Sequence, residues 1–397
     1  MLKISRITIC LFLFTVFLLV SRMDVQAAGY TRVQAKLDTT ISDQTTRQYS
    51  QPVKILISQI SSKDQLLESN SLAWYRTLYY YSITRLGYVD IPFTYVIDRE
   101  GNIYDGRDGG DNVSPELVND QGAIVIGYLS NSTDLPSVSE DALQALVTRV
   151  SYTYGIAKKN VEVVSFEIVK SEGRSSKSNP LPVNNLFSQN VLTALDNVIY
   201  SEKEHITYKA KVASVNYGKS VKAGEKLKVE VSITNENDFP WFTTKDYLYV
   251  TTKGSKDSQF AVNGVWDSFS KPVSVKNKTI LPGETIKLTY DLQALLLPGK
   301  YTESYSLLKS PNIPFKNTEF KVSFEITKGD FKLVQVAGTP AGILNVRECP
   351  AGSCKSISTL TEGQVVIMVE KSLAGWYRVK YADRKEGWVY APYIKEL

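Results

Sequence analysis

The pattern of apolar residues changes kind once along this chain, close to its single histidine, His205. Upstream, compact apolar runs of strand length alternate with stretches of helical length. "VKILISQI" (53–60), "GAIVIGYL" (122–129) and "NVEVVSFEIV" (160–169) are β-branched and nearly unbroken, as strands buried on both faces are. "SLAWYRTLYYYSITRLG" (71–87) has helical length and stops at Gly87, a predicted C-cap. Ser139 before "EDALQALVTRVSYTYGI" (140–156) predicts an N-cap, an acidic first turn and an end at Gly155. "VNNLFSQNVLTALDNVIY" (183–200) predicts a last helix. Strands alternating with helices predict an α/β domain.

Downstream, helical periodicity disappears. "EKLKVEVSITNEN" (225–237), "TIKLTYDLQA" (285–294), "GKYTESYSLLK" (299–309) and "TEFKVSFEIT" (318–327) alternate polar and apolar residues between turn signals such as "LPGE" and "LPGK". Short strands at such spacing predict an antiparallel sandwich. After Lys328 the chain restarts as a small all-β unit rich in glycine turns, predicting a barrel. A length of 397 residues is too great for one ordinary core and agrees with several domains.

The ends carry compartment signals. Lys3 and Arg6 precede "ITICLFLFTVFLLV" (7–20), and Val25-Gln26-Ala27 follow with small side chains at a cleavage position. That run is shorter than the roughly 18 apolar residues of a bilayer span, so residues 1–27 read as a signal peptide, with an uncleaved N-terminal anchor as the alternative, and no membrane span is expected after its removal. Residues 28–51, polar and rich in Thr, Ser and Gln, are expected to form a flexible lead-in. Cys349 and Cys354 are then the two remaining cysteines, which predicts a disulfide in an exported chain. A formal charge of +5 is mild for this length, and no nucleic-acid partner is expected.

The stretch Gly87 to Arg107, "GYVDIPFTYVIDREGNIYDGR", resembles the N-acetylmuramoyl-L-alanine amidase and peptidoglycan recognition protein family, with order and spacing kept over about residues 52–205. The resemblance implies a mixed sheet with flanking helices, and in active relatives a zinc held by two histidines and a cysteine or aspartate. Here the implied ligand positions fall on Ser58, Phe166 and Asn179, and the assisting tyrosine on Phe93. No histidine occurs before His205 and no cysteine between Cys10 and Cys349, so slippage of the alignment restores no site. Serine, phenylalanine and asparagine do not replace imidazole and thiolate on zinc. A degenerate amidase is therefore expected, with no catalytic residue, no metal and no cofactor.

Other chemistries are weaker. Asp98, Asp105, Asp108 and Asp111 lack the spacing of a calcium loop and read as turn residues. Ser58 and Ser165 have no histidine base for a triad, and His205 is expected to be a solvated linker residue. If the groove still binds, aromatic faces and cationic donors are the candidates: Tyr79, Tyr80, Tyr81, Tyr88, Arg107 and, beside the lost terminal ligand, Lys177. Three successive tyrosines on one helix point different ways, so at least one belongs to the core.

Residues 206–328, with "NENDFPWF" (235–242), "LPGET" (281–285) and "LPGKY" (297–301), resemble immunoglobulin-like domains. Residues 329–397, with "LNVRE" (344–348), "LTEGQVV" (360–366), "GWYRVKY" (375–381) and "GWVYAPYI" (387–394), resemble bacterial SH3-like domains. That resemblance implies a small β-barrel that binds peptidoglycan, with Trp376, Trp388 and Tyr393 near its groove. Together these features predict a secreted or cell-wall-associated, non-catalytic binder of peptidoglycan or a related envelope glycopeptide. A wall hydrolase with a relocated site and a surface scaffold or adhesin that binds proteins stay open.

Overall fold

A computed structural model describes residues 29–43, 47–115, 122–166, 180–381 and 385–397, with backbone alone at 170–171, 174–175 and 382. The signal-peptide expectation for residues 1–27, Lys177 and Asn179 lie outside the described residues. The chain divides into two compact units, 1–206 and 207–397.

The first unit is built on one mixed sheet. Its strands are β1 (Gly29–Tyr30), β2 (Lys54–Ile60), β3 (Tyr95–Ile97), β4 (Ile103–Asp105), β5 (Ala123–Leu129), β6 (Val161–Ser165) and β9 (Leu181–Pro182), in the order β1-β4-β3-β5-β2-β6-β9. A separate pair, β7 (Lys170–Ser171) and β8 (Arg174–Ser175), lies between β6 and β9 in sequence. The central β2, β5, β3 and β6 run parallel, and the flanking pairs β3–β4 and β6–β9 are antiparallel. Parallel strands need covered faces. The short α1 (Gln65–Glu68) leads into α2 (Ser71–Thr84), whose Trp74, Tyr75 and Tyr79 pack on one face with Leu56 and Val125. The other face carries α3 (Ser137–Tyr154) and α4 (Leu186–Ala194), whose Leu143, Val147, Val150, Phe187 and Val191 pack with Ile55, Ile57, Ile124 and Ile126. Strict alternation of the two core sets along β2 (Ile55 and Ile57 against Leu56) is the period-2 geometry of a strand buried twice.

Local details correct three expectations. Helix α3 begins at Ser137 behind Pro136, two residues before the predicted cap. Ser139 lies inside it, its hydroxyl donating to the Asp98 and Arg99 carbonyls. Gly155 does end the helix in the left-handed conformation. Helix α2 ends at Thr84, with Arg85 as its C-cap, and Gly87 lies beyond it. The segment expected to be a flexible lead-in, 28–51, docks over much of its described length. Gly29 and Tyr30 pair with β4, Ala35 is fully buried, and Arg32 Nη1 donates to both Asp90 carboxylate oxygens at 2.9 Å and to the Gly106 carbonyl at 2.8 Å. Polar composition hides this because the attachment uses one ion pair and a few buried atoms.

The second unit contains a two-sheet sandwich and a smaller curled sheet. One sandwich sheet comprises β10 (Ala210–Tyr217), β12 (Lys226–Asn235) and β17 (Thr285–Gln293). The other runs β11 (Ser220–Lys222), β20 (Phe320–Thr327), β18 (Gly299–Lys309), β14 (Leu248–Thr252), β15 (Val273–Val275), with β19 (Ile313–Pro314) on β18. A pair, β13 (Trp241–Phe242) and β16 (Thr279–Ile280), completes it. Tyr290 of β17 meets Tyr305 of β18 across the layers at 5.5 Å between ring centroids. Trp241 and Trp266 are buried, their indole N–H groups donating to Asn237 and to the Asp291 carbonyl.

The C-terminal sheet has β21 (Lys332–Val336), β22 (Ile343–Arg347), β23 (Ser356–Thr361), β24 (Val365–Lys371), β25 (Trp376–Ala382), β26 (Lys385–Tyr390) and β27 (Ile394–Glu396). Their order is β23-β22-β26-β25-β24-β21-β27, around a core of Val334, Val336, Leu344, Val346, Leu360, Val366, Met368, Val379 and Val389.

Candidate functional site

The first unit carries a groove of about 450 Å³ at the C-terminal ends of β2 and β6. Ser58, Gln59 and Ile60 come from β2; Val164, Ser165 and Phe166 come from β6 and the residue after it. Leu78, Ser82 and Leu86 form one wall at helical spacing on and just beyond α2. Val183, Asn185 and Phe187 form the opposite wall. Asn185 caps α4 there, accepting from Ser188 N–H at 2.8 Å while its own N–H donates to Ser188 Oγ. Ligands commonly lie outside the carboxyl ends of parallel strands, and this groove obeys that rule.

Phe93 enters the same groove from the segment before β3. The motif around it holds it rigidly: Arg107 N–H donates to the Phe93 carbonyl at 2.7 Å, and Gly106 N–H to that of Thr94 at 3.0 Å. Gly106 has to be glycine, because a Cβ there would lie 2.1 Å from the Phe93 carbonyl oxygen. Under the ring lies Gly127 of β5, the register partner of Ser58 and of Val96. A Cβ on Gly127 would lie 2.4 Å from Ile60 Cδ1 and 2.9 Å from Phe93 Cδ1, so these two side chains cover the strand beside Ser58. Ser58, Phe93 and Phe166, three of the four positions singled out from the sequence resemblance, meet in one groove.

The groove offers hydroxyl and amide groups on an apolar bed. The Gln59 amide is occupied, donating to the Ser130 and Ser132 carbonyls at 2.9 Å each, and Ser82 Oγ donates to the Leu78 carbonyl. Among the described residues, no group of three or more His, Cys, Asp or Glu side chains is placed to hold a metal ion.

The predicted ligand residues separate. Tyr88 and Arg107 are 3 % and 5 % exposed and lie inside the unit, away from the groove lining. Tyr79 is fully buried, its hydroxyl donating to the Asp38 carbonyl, while Tyr80 and Tyr81 are exposed. The aspartates do not converge on one point. Asp98 accepts from Glu100 N–H, Asn102 N–H, Asn102 Nδ2 and Tyr104 Oη within 2.8–3.0 Å, and burial raises its carboxyl above the ordinary range. Asp108 pairs with Arg47, and Asp111 accepts from Tyr95 Oη at 2.6 Å and from Arg149 at 3.2 Å. Asp105 contributes its carbonyl to Tyr75 Oη at 2.6 Å. His205, expected as a solvated linker residue, is exposed and stacks on Tyr152 at 3.8 Å, with Nδ1 2.9 Å from the Tyr152 carbonyl.

A second groove, about 490 Å³, lies on the C-terminal sheet. Trp376, Tyr390 and Tyr393 line it, with ring centroids 5.3 Å apart from Trp376 to Tyr390 and 5.9 Å from Tyr390 to Tyr393. Trp388, half-buried, is not among its lining residues. Asn345 and Arg347 also line it, with Gly352 from the loop closed by the Cys349–Cys354 disulfide. Arg347 and Tyr390 escaped the sequence reading, although a signal existed for the first. In "LNVRE", Leu344 and Val346 point into the core, so Asn345 and Arg347 must face outward.

Comparison with known proteins adds the following. Solved structures similar to part of the chain include Drosophila PGRP-SD (14% identity, 34% of this chain and 81% of that one, TM-score 0.29). Human PGRP-IBETAC, solved in complex with glycosamyl muramyl pentapeptide, is 19% identical over 34% of this chain and 81% of that one, TM-score 0.29. PGRP-Hd from Alvinella pompejana is 15% identical over 38% and 91%, TM-score 0.29. No curated protein matches the sequence. Residues 342–395, which hold the whole second groove, match the family model described as Bacterial SH3 domain.

Proposed function

We propose that this protein is an exported, non-catalytic peptidoglycan binder. In this view a degenerate amidase domain and a bacterial SH3 domain both engage the wall, and the sandwich between them, read as immunoglobulin-like, serves as a spacer. The observation that carries the proposal is the composition of the first groove. It is open, yet it is lined by Ser58, Phe166 and Phe93, to which the sequence resemblance assigns two ligand positions and the assisting tyrosine, with Ile60 and Phe93 covering Gly127. A dication in that apolar setting would lose its hydration without gaining ligands. Hydroxyl and amide groups on an apolar bed instead suit a sugar and peptide ligand held without chemistry.

Two groups of experiments test this. Purified chain from residue 28 onward, incubated with sacculi, is expected to sediment with them; absence from the pellet defeats the proposal. The same protein with added zinc and a muropeptide is expected to take up no stoichiometric metal and to release no amide product. Zinc-dependent cleavage would restore the hydrolase reading.

A further inference from the structure

The second groove contains a recognition feature beyond wall attachment as such. Among its described lining residues Arg347 is the one with a charged side chain, and it shares the groove with the Trp376, Tyr390 and Tyr393 rings. Arg347 Nη1 donates to the Cys354 carbonyl, the one hydrogen bond of this guanidinium among the described residues. That carbonyl belongs to the loop the Cys349–Cys354 disulfide closes, with 5.7 Å between the two Cα atoms, and the same loop supplies Gly352 to the groove rim. One edge of the guanidinium is thus tethered to a covalently closed loop, and its remaining donors are left for a ligand. A half-buried, pre-oriented guanidinium beside aromatic surface and tyrosine hydroxyls is complementary to a carboxylate.

We infer that the C-terminal groove recognises the free terminal carboxylate of a wall peptide through Arg347, and that the Cys349–Cys354 loop positions that arginine. This rests on the wall-binding function proposed above and specifies the peptide state it selects: an end that is not cross-linked or amidated. Neither half of the inference needs the first groove.

The test uses the chain from residue 28 onward and two probes, acetyl-D-alanyl-D-alanine with a free carboxylate and the same peptide as its C-terminal amide. Binding is followed by titration of tryptophan fluorescence and of NMR shifts in the C-terminal domain. The carboxylate form is expected to bind about tenfold more tightly than the amide, the worth of one charge-assisted contact. Arg347→Gln is expected to abolish that preference, and Arg347→Lys to restore part of it. The Cys349→Ser/Cys354→Ser variant is expected to weaken the carboxylate probe several-fold and leave the amide unchanged. Unaltered NMR dispersion of the core valines shows that each variant is folded. Equal binding of both probes by the wild type, or a preference that survives Arg347→Gln, overturns the assignment of Arg347. A preference unaffected by loss of both cysteines overturns the positioning role of the loop. Sacculus retention with no carboxylate preference defeats this inference alone, whereas loss of sacculus retention defeats the proposed function beneath it.

Discussion

At the scale of single residues, the motif that gave the first unit its resemblance works as structure. Asp98 is fully buried and holds four donors, three of them within the Glu100–Asn102 turn and one from Tyr104. Asp98→Ala strands those donors and is expected to cost about 3 kcal/mol, read as a fall in the denaturation midpoint of the first unit. Burial also raises the Asp98 carboxyl above its ordinary value of 3.8. The folded protein then keeps a proton that the unfolded chain has released. The group's contribution to stability is fully present below the unfolded value and is lost as pH rises through the folded value. Without Asp98 that loss disappears, so stability of the variant should climb more steeply with pH across the carboxylate range. Parallel pH profiles for variant and wild type would show the linkage absent.

Gly127 makes a second residue-scale case, because nothing local in "GAIVIGYL" distinguishes it from the other apolar strand positions. Its constraint comes from Ile60 and Phe93 lying on it. Gly127→Ala should displace both side chains, cost about 1–3 kcal/mol and narrow the groove. Its melting temperature and sacculus binding should fall together; unchanged values for both would mean that the groove floor yields freely.

At the scale of elements, the segment around β1 is the least expected contributor. It adds a strand to the sheet edge beyond β4, buries Ala35, and places Arg32 on Asp90, next to the Gly106 carbonyl in the motif. Arg32 Nη2 is buried without a partner, so the pair is imperfectly satisfied and sensitive to loss of either member. Arg32→Met is expected to destabilise the first unit by about 3–5 kcal/mol, since Asp90 would stay buried and uncompensated. Removal of residues 29–43 should do at least as much, measured by urea unfolding. A midpoint unmoved by the truncation would show the segment to be ornamental. The helices are easier to anticipate: length and a terminal glycine mark α3, whereas its cap lies three residues earlier than expected, at Pro136, and Ser139 is engaged with the Asp98 and Arg99 carbonyls.

At the scale of the whole molecule, the two compact units each hold their own core and their own groove. Calorimetry of the chain from residue 28 onward should therefore show at least two transitions, with Asp98→Ala and Arg32→Met moving one and leaving the other in place. Under the proposed function, two modest sites on one chain gain from effective concentration on a repeating polymer. Sacculus binding of the intact chain should exceed that of either unit alone by about tenfold or more, and equal retention by one isolated unit would make the other dispensable.

The sequence by itself determined the change from alternating strands and helices to strands alone near His205. It also determined the SH3-like motifs, the absence of histidine before His205 and the absence of cysteine between Cys10 and Cys349. Periodicity is local, and a missing residue type is missing in every fold, so neither depends on tertiary contact. Tertiary structure alone decided that Ser58, Phe93 and Phe166 share an open groove while Tyr88 and Arg107 are interior, and that the polar segment after residue 28 docks. It also decided that Arg347 shares a groove with Trp376, Tyr390 and Tyr393. The physical reason is common to all of these. Each groove is assembled from chain segments far apart in sequence, and which face of a tyrosine or arginine meets solvent is settled by what packs against it.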